Sequence, residues 1–221
     1  MSNFIKYLTL CFLFCYGGNL AHGQMITRLD NFGGHPNVTE QKYIDIKGNP
    51  FFYEDWTTAV VYAKNGNEYI DVLLKYDIVN DEIQFFVPSV EQAYVLDTPI
   101  DSFKFVGPNT ENHFVKLSDG KFYERLSKGH HNLYKETNKY IIERRPYGSA
   151  HKERTVLTKT NYYYEHEGKL EPLKPNRRAV LNLFSGDQRK ALEDFIKDNR
   201  VNLSNENGMV QAFTFVNNLP E

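Results

Sequence analysis

From Tyr43 to about Pro172 hydrophobic and polar residues alternate with a period of two; after Pro172 the period becomes helical. "YIDIKGNPFF" predicts a short strand running into a Gly-Asn-Pro turn, and "TTAVVYAKNGNEYIDVLLKYDI" predicts two strands around Asn65-Gly66, a strong hairpin signal. In the second of these strands Val72, Leu74, Tyr76 and Ile78 share one face by simple alternation, which leaves Tyr69 on the other. Ile83, Phe85 and Val87 form the next apolar row. Further strands are expected at Gln92–Leu96, Ser102–Val106 and His113–Leu117, with an Asp119-Gly120 turn of type I′ leading into "KFYERLS". "NKYIIERR" and "TVLTKTNYYYEHEGKLEPL" complete the β region, with Gly168 near its last turn.

Strands arriving every 8–12 residues without intervening helices indicate an antiparallel arrangement. The expected fold is therefore mainly β (α+β): a rolled or sandwiched antiparallel sheet of about 9–11 short strands, with a small C-terminal helical subdomain. Pro175 suits a helix start, Ser185 with Gln188 fits a capping box, and Ser204 is placed to cap the last helix. Residues 24–172 are read as the β domain and 173–221 as helices packed on it.

The first 23 residues follow another pattern. Lys6 precedes an apolar run from Tyr7 to Tyr16, and Ala21 and Gly23 supply small residues before Gln24. A spanning helix needs about 20 apolar residues, and Gly17-Gly18-Asn19 ends this run too soon. The segment reads as a signal peptide cut near Gly23-Gln24, so the expected location is periplasmic or extracellular and the mature protein is not membrane-spanning. Both cysteines, Cys11 and Cys15, lie inside it. The mature chain would have no disulfide, thiol nucleophile or cysteine ligand.

Removing 23 of the 221 residues leaves 198, with 25 Lys and Arg against 28 Asp and Glu because Lys6 is the one charge lost. A net charge of −3 gives no electrostatic basis for a nucleic-acid partner. Of the 32 aromatic residues 27 remain, a composition suited to half-buried pleated surfaces.

"KGNPFFYEDW", "DVLLKYDIVNDEIQF", "GKLEPLKPNRRAVLNLF" and "KALEDFIKDNRVNLSNENGMVQAF" run across most of the mature chain. In these blocks the chain resembles an uncharacterised exported family of Bacteroidetes. The resemblance implies export, a β-rich body and a helical C-terminus, and carries over no functional residues.

Candidate chemistry is sparse. Asp77, Asn80, Asp81 and Glu82 gather oxygens as a calcium loop would, yet they flank a turn without the glycine of a dedicated loop, which favours a hairpin tip. Glu165 and Glu167 fall on one strand face about 6.6 Å apart, a separation that suits an inverting glycosidase; neighbours on one strand, however, flank a sugar poorly. His130-His131 would point to opposite faces, with His113, His151 and His166 scattered, so no metal site is read. Asn37-Val38-Thr39 is a bare glycosylation sequon, "YGSAH" (147–151) only superficially a nucleophile neighbourhood, and Gly33-Gly34 lacks a phosphate-binding Lys-Ser/Thr. Tyr162 and Tyr164 share a face opposite Tyr163. Exposed, the pair would stack on a sugar or other flat ligand; buried, it would pack across strands.

The sequence thus points to an exported, non-catalytic binding or interaction protein of the cell envelope, with a protein, glycan or lipid partner, no cofactor, and Tyr162 and Tyr164 as candidate ligand-binding residues. An exported hydrolase acting on glycan or peptide, and a half-barrel carrier of lipid or another hydrophobic ligand, are the alternatives.

Overall fold

The computed structural model describes residues 32–37, 42–107, 111–148 and 151–220. The expected signal segment, Val38-Thr39 of the sequon and Ser149-Ala150 of "YGSAH" lie outside these residues. Twelve strands form one open sheet: β1 (Gly34–Pro36), β2 (Ile46–Lys47), β3 (Thr57–Ala63), β4 (Glu68–Asp77), β5 (Glu82–Val87), β6 (Gln92–Leu96), β7 (Ile100–Val106), β8 (Glu111–Lys116), β9 (Phe122–Ser127), β10 (Asn132–Arg144), β11 (Glu153–His166) and β12 (Lys169–Leu173). Their order across the sheet is 1-6-5-4-3-7-8-9-10-11-12, antiparallel throughout, and β2 adds as a parallel pair on β11. Three helices follow: α1 (Arg177–Leu181), α2 (Gly186–Asp198) and α3 (Glu206–Asn217). No helix among the described residues is long and apolar enough to cross a membrane.

The sheet is rolled, as ring contacts show. Strands β4 and β9 are four spacings apart, about 19 Å along a flat sheet. Yet the rings of Tyr76 and Phe122 lie 6.0 Å apart. The concave face is filled by aromatic side chains: Phe103 lies 4.8 Å from Phe114 and Tyr76 lies 5.4 Å from Phe103. Phe52 enters from the segment preceding β3, which bonds to the end of β4 through the Phe52 amide and the Tyr76 carbonyl. Together with Val61, Val72, Leu74, Phe85 and Phe105, these rings make the first core.

Alternation fails at one place in β4. Val61 opposes Tyr69 but Ala59 opposes Val72, so Ile70 and Asp71 together face Val60. Asp71 adopts φ 55°, the left-handed backbone of a β-bulge. The extra residue returns Tyr69 to the concave face, where it is buried with Val72, Leu74 and Tyr76. The expectation that Tyr69 faces away is corrected by this bulge.

Turn chemistry is also refined. At Asn65-Gly66 and Asp119-Gly120 only the glycine has positive φ, and Gly66 and Gly120 donate to the carbonyls of Ala63 and Leu117. These are type I turns completed by a left-handed glycine rather than type I′. Among the described residues, the tight turn with two positive φ values is Glu167-Gly168 between β11 and β12.

The helices make the second core. Leu133 and Tyr164 from β10 and β11 pack with Leu181, Leu192, Ile196, Met209 and Phe213. Asn176 caps α1 by accepting from the Ala179 amide. Ser185 stands at the N-cap of α2 but makes no side-chain cap bond, and Asn205, not Ser204, caps α3 through the Gly208 amide. At its far end α3 clamps the β9–β10 turn: Asn217 accepts from the His131 amide and donates to the His131 carbonyl and to Ser127. A Cβ on Gly129 would fall 2.4 Å from Asn217, so this turn admits only glycine there without rearrangement.

Candidate functional site

The β10–β11 hairpin is longer than anything beside it. The two strands have 13 and 14 residues and pair without interruption from Asn132↔Glu165 to Arg144↔Glu153. β9 meets β10 only at Leu133, Tyr134 and Lys135. The hairpin therefore continues beyond the sheet as a two-stranded ribbon, a structure marginal on its own. Lys139 anchors it by donating to the carbonyls of Asn49 and Phe51, and Lys47 pairs with Glu153 at 2.7 Å.

The outer edge of β11 is covered at both ends and open between them. β12 pairs with residues 162–166 and β2 with Arg154 and Thr155, leaving residues 156–161 without a strand partner on this side among the described residues, with Gly48 lying against Val156. Which backbone groups are left open follows from the Glu167-Gly168 turn. A two-residue turn closes on a hydrogen-bonded pair, here His166↔Lys169, so even-numbered residues of β11 direct N–H and C=O toward β12 and odd-numbered ones toward β10. Pro172 agrees: it opposes Tyr163, where no ladder N–H is needed. By continuation the amides and carbonyls of Thr158 and Thr160, both exposed residues, point outward. A cleft of about 410 Å³ opens here, bounded by Lys159, Thr160, Asn161 and Tyr162 on β11 and by Pro172 and Lys174 opposite. On the other side of the ribbon, Glu136–Asn138 faces Tyr76 and Phe122 of the rolled sheet. Glu143 and Arg144, exposed charges of the kind that guard edges, occupy the end of that edge.

Tyr162 and Tyr164 do share a face, and it is the concave one covered by helices. Tyr164 is buried, its ring 5.8 Å from Phe213 and its hydroxyl 3.1 Å from His131 Nδ1. Tyr162 is half-buried; its ring packs on the second core, its hydroxyl donates to Glu206, and it also lines the cleft. Burial raises the pKa of both phenols, with Glu206 adding to the effect at Tyr162 and Glu171 and Glu167 at Tyr164.

Between the two cores lies a charged layer. Glu124, 4% exposed, accepts from Asn112 at 2.6 Å and lies 2.7 Å from the Lys135 ammonium, which is also 3.2 Å from Glu206 at the start of α3. Burial alone would lower the pKa of Lys135; Glu124 and then Glu206 outweigh it and hold it above the ordinary value. The two carboxylates share one cation, and each accepts a further bond, Glu124 from Asn112 and Glu206 from Tyr162.

The convex face consumes its carboxylates in the same way. Glu136 accepts from Asn161 and Tyr163; burial pushes its pKa up, but these bonds bring it below the ordinary carboxylate value. Glu165 accepts from Asn132 and Tyr134, while Glu167 sits in the tight turn with φ 52°. The strand-borne pair considered for sugar hydrolysis is thus divided between a strand and a turn. At the β4–β5 tip, buried Asp77 accepts from the Tyr43 hydroxyl, the Val79 and Asn80 amides and the Asn80 side chain. Its oxygens organise the loop. In the sequon, Asn37 donates its side-chain amide to Gln84.

His166, distant in sequence, meets the adjacent His130 and His131 in space. His130, His131 and His166 have ring centroids 4.7–5.2 Å apart, at the turn clamped by Asn217. His131 is 5% exposed and its Nε2 has no partner among the described residues. Burial, then His166 and His130, pushes its pKa down to about 4. No group of three His, Cys, Asp or Glu among the described residues is arranged to hold a metal ion.

No family model matches the chain, and no curated protein or solved structure matches it either.

Proposed function

We propose that this is a non-catalytic interaction protein that binds an extended segment of a partner along the open edge of β11. The observation that carries the reading is the gap at residues 156–161, bracketed by β2 and β12, where Thr158 and Thr160 turn backbone donors and acceptors outward and Thr160 lines a cleft. Strand addition takes its affinity from such main-chain groups and its specificity from alternate side chains. The carboxylates nearest the cleft are each occupied by tyrosine, asparagine or lysine donors, which supports binding over hydrolysis. The concave space is packed with Phe52, Phe103, Phe105 and Phe114, which supports strand capture over carriage of a lipid. The proposal places the protein outside the cytoplasm, on the strength of the Lys6–Gly23 signal pattern; an N-terminus at Gln24 in protein recovered from the producing cells is the expected mass-spectrometric result.

A library of random extended peptides, selected on the immobilised protein, tests the binding role. Selected peptides are expected to lose affinity for Thr158→Pro, which removes an outward N–H and leaves the ladder to β10 intact. Peptides that bind this variant unchanged, or a selection that yields none, would overturn the proposal.

A further inference from the structure

The chemistry of the cleft says which strand it takes. Lys159 lies in the middle of the gap and Lys174 on the opposite rim; both are exposed, and among the described residues neither pairs with a carboxylate. Seven other described lysines pair with one and seven more do not, so what distinguishes Lys159 and Lys174 is their place at the cleft. Among the described residues no Asp or Glu lines the cleft. As an odd-numbered residue, Lys159 turns its backbone toward β10 and its side chain to the convex face with Asn161 and Tyr163. An antiparallel strand added at this edge would therefore meet it in a non-hydrogen-bonded pair, the arrangement in which facing side chains are closest. Thr158 and Thr160, on the other face, offer small polar surfaces.

We infer, resting on the strand-capture reading, that the partner segment is an acidic β-strand, with carboxylates on alternate residues facing Lys159 and Lys174. A second copy of this chain does not meet that description. Pairing two β11 edges would bring the lysines of both copies into one patch without a carboxylate to neutralise them.

The test uses three eight-residue Thr/Val peptides carrying Glu, Gln or Lys at alternate positions, with affinity followed by fluorescence anisotropy. The Glu peptide is expected to bind wild-type protein roughly fivefold or more tightly than the Gln peptide at low salt, the advantage shrinking as salt rises. The double variant Lys159→Glu/Lys174→Glu should reverse the order and favour the Lys peptide. A Glu peptide N-methylated at its ladder positions should not bind the unmodified protein, a control independent of whether any variant folds. Equal binding of the Glu and Gln peptides, with the N-methylated peptide inactive, would overturn the acidic-strand inference and leave strand capture standing. Undiminished binding of the N-methylated peptide would overturn both. A concentration-dependent dimer in sedimentation, abolished by Thr158→Pro, would replace the acidic partner with a second copy.

Discussion

The core over β3–β8 is made by hairpins of sequence neighbours joined through the pairing of β3 with β7, whereas the core under the helices joins a hairpin to helices that follow it in the chain. In the first, hairpins of similar length stack side by side and the roll of the sheet closes them over their own aromatic rings. In the second, β10 and β11 outrun their neighbours, and Leu133 and Tyr164 are buried under α1–α3. The Glu124–Lys135–Glu206 layer separates the two. An open sheet leaves unpaired backbone groups along its edges. β11 outruns the two short strands that flank its outer side, and the stretch they leave uncovered carries the proposed function.

The comparison breaks most severely at the charged layer. Lys135→Met leaves Glu124 buried without its cation and is expected to cost about 3–5 kcal/mol in denaturant unfolding. Adding Glu124→Gln should recover part of that loss; no recovery would mean that the layer acts by packing alone. In the first core Phe103→Ala is expected to cost about 3–5 kcal/mol as well, since it opens a cavity among fully buried rings. No second substitution of a neighbouring charge should rescue it.

Smaller, and shared by one histidine in each half, is a dependence on pH. The folded pKa of His131 lies at about 4, below the ordinary value of 6.5, so the fold favours the neutral ring. Its contribution to stability is complete above pH 6.5, declines as pH falls through that value and levels off below about 4. The loss is on the order of 3 kcal/mol. His113, lowered to about 4 mainly by burial and then by Arg125, acts over the same window in the first half. His131→Phe should flatten only its own share of the profile and keep the ring packing on Tyr164 and Phe184. An unchanged acid limb would contradict the assignment.

The smallest effect separates the bulge from its surroundings. Asp71→Val should destabilise by about 1–2 kcal/mol because a β-branched residue resists left-handed backbone, whereas Asp71→Gly should be nearly neutral. Equal effects of the two on the melting temperature would remove the bulge as the reason Tyr69 is buried.

What the sequence made legible was local. Period-two rows located the strands, as at Gln92–Leu96, and Tyr162 and Tyr164 were rightly placed on one face. The same counting misplaced Tyr69, because a bulge shifts the alternation and Asp71 looks like any exposed residue until its φ is known. The helix caps were off by one at Asn205, since Ser204 is equally competent by residue type. The open edge was invisible because it depends on where β12 and β2 stop pairing, a property of three strands and not of "TVLTKT" itself. The histidine group was invisible because His166 reaches His130 and His131 only through the pairing of β10 with β11.

Residue-resolved amide exchange of the free protein measures the central claim most directly. The amides of Thr158 and Thr160 should exchange fast while those of Leu157, Lys159 and Asn161, bonded to β10, remain protected. Addition of a captured strand should slow the first two and leave the others as they were. Uniform protection from residue 157 to 161 in the free protein would show that the edge is already occupied, and would contradict the account.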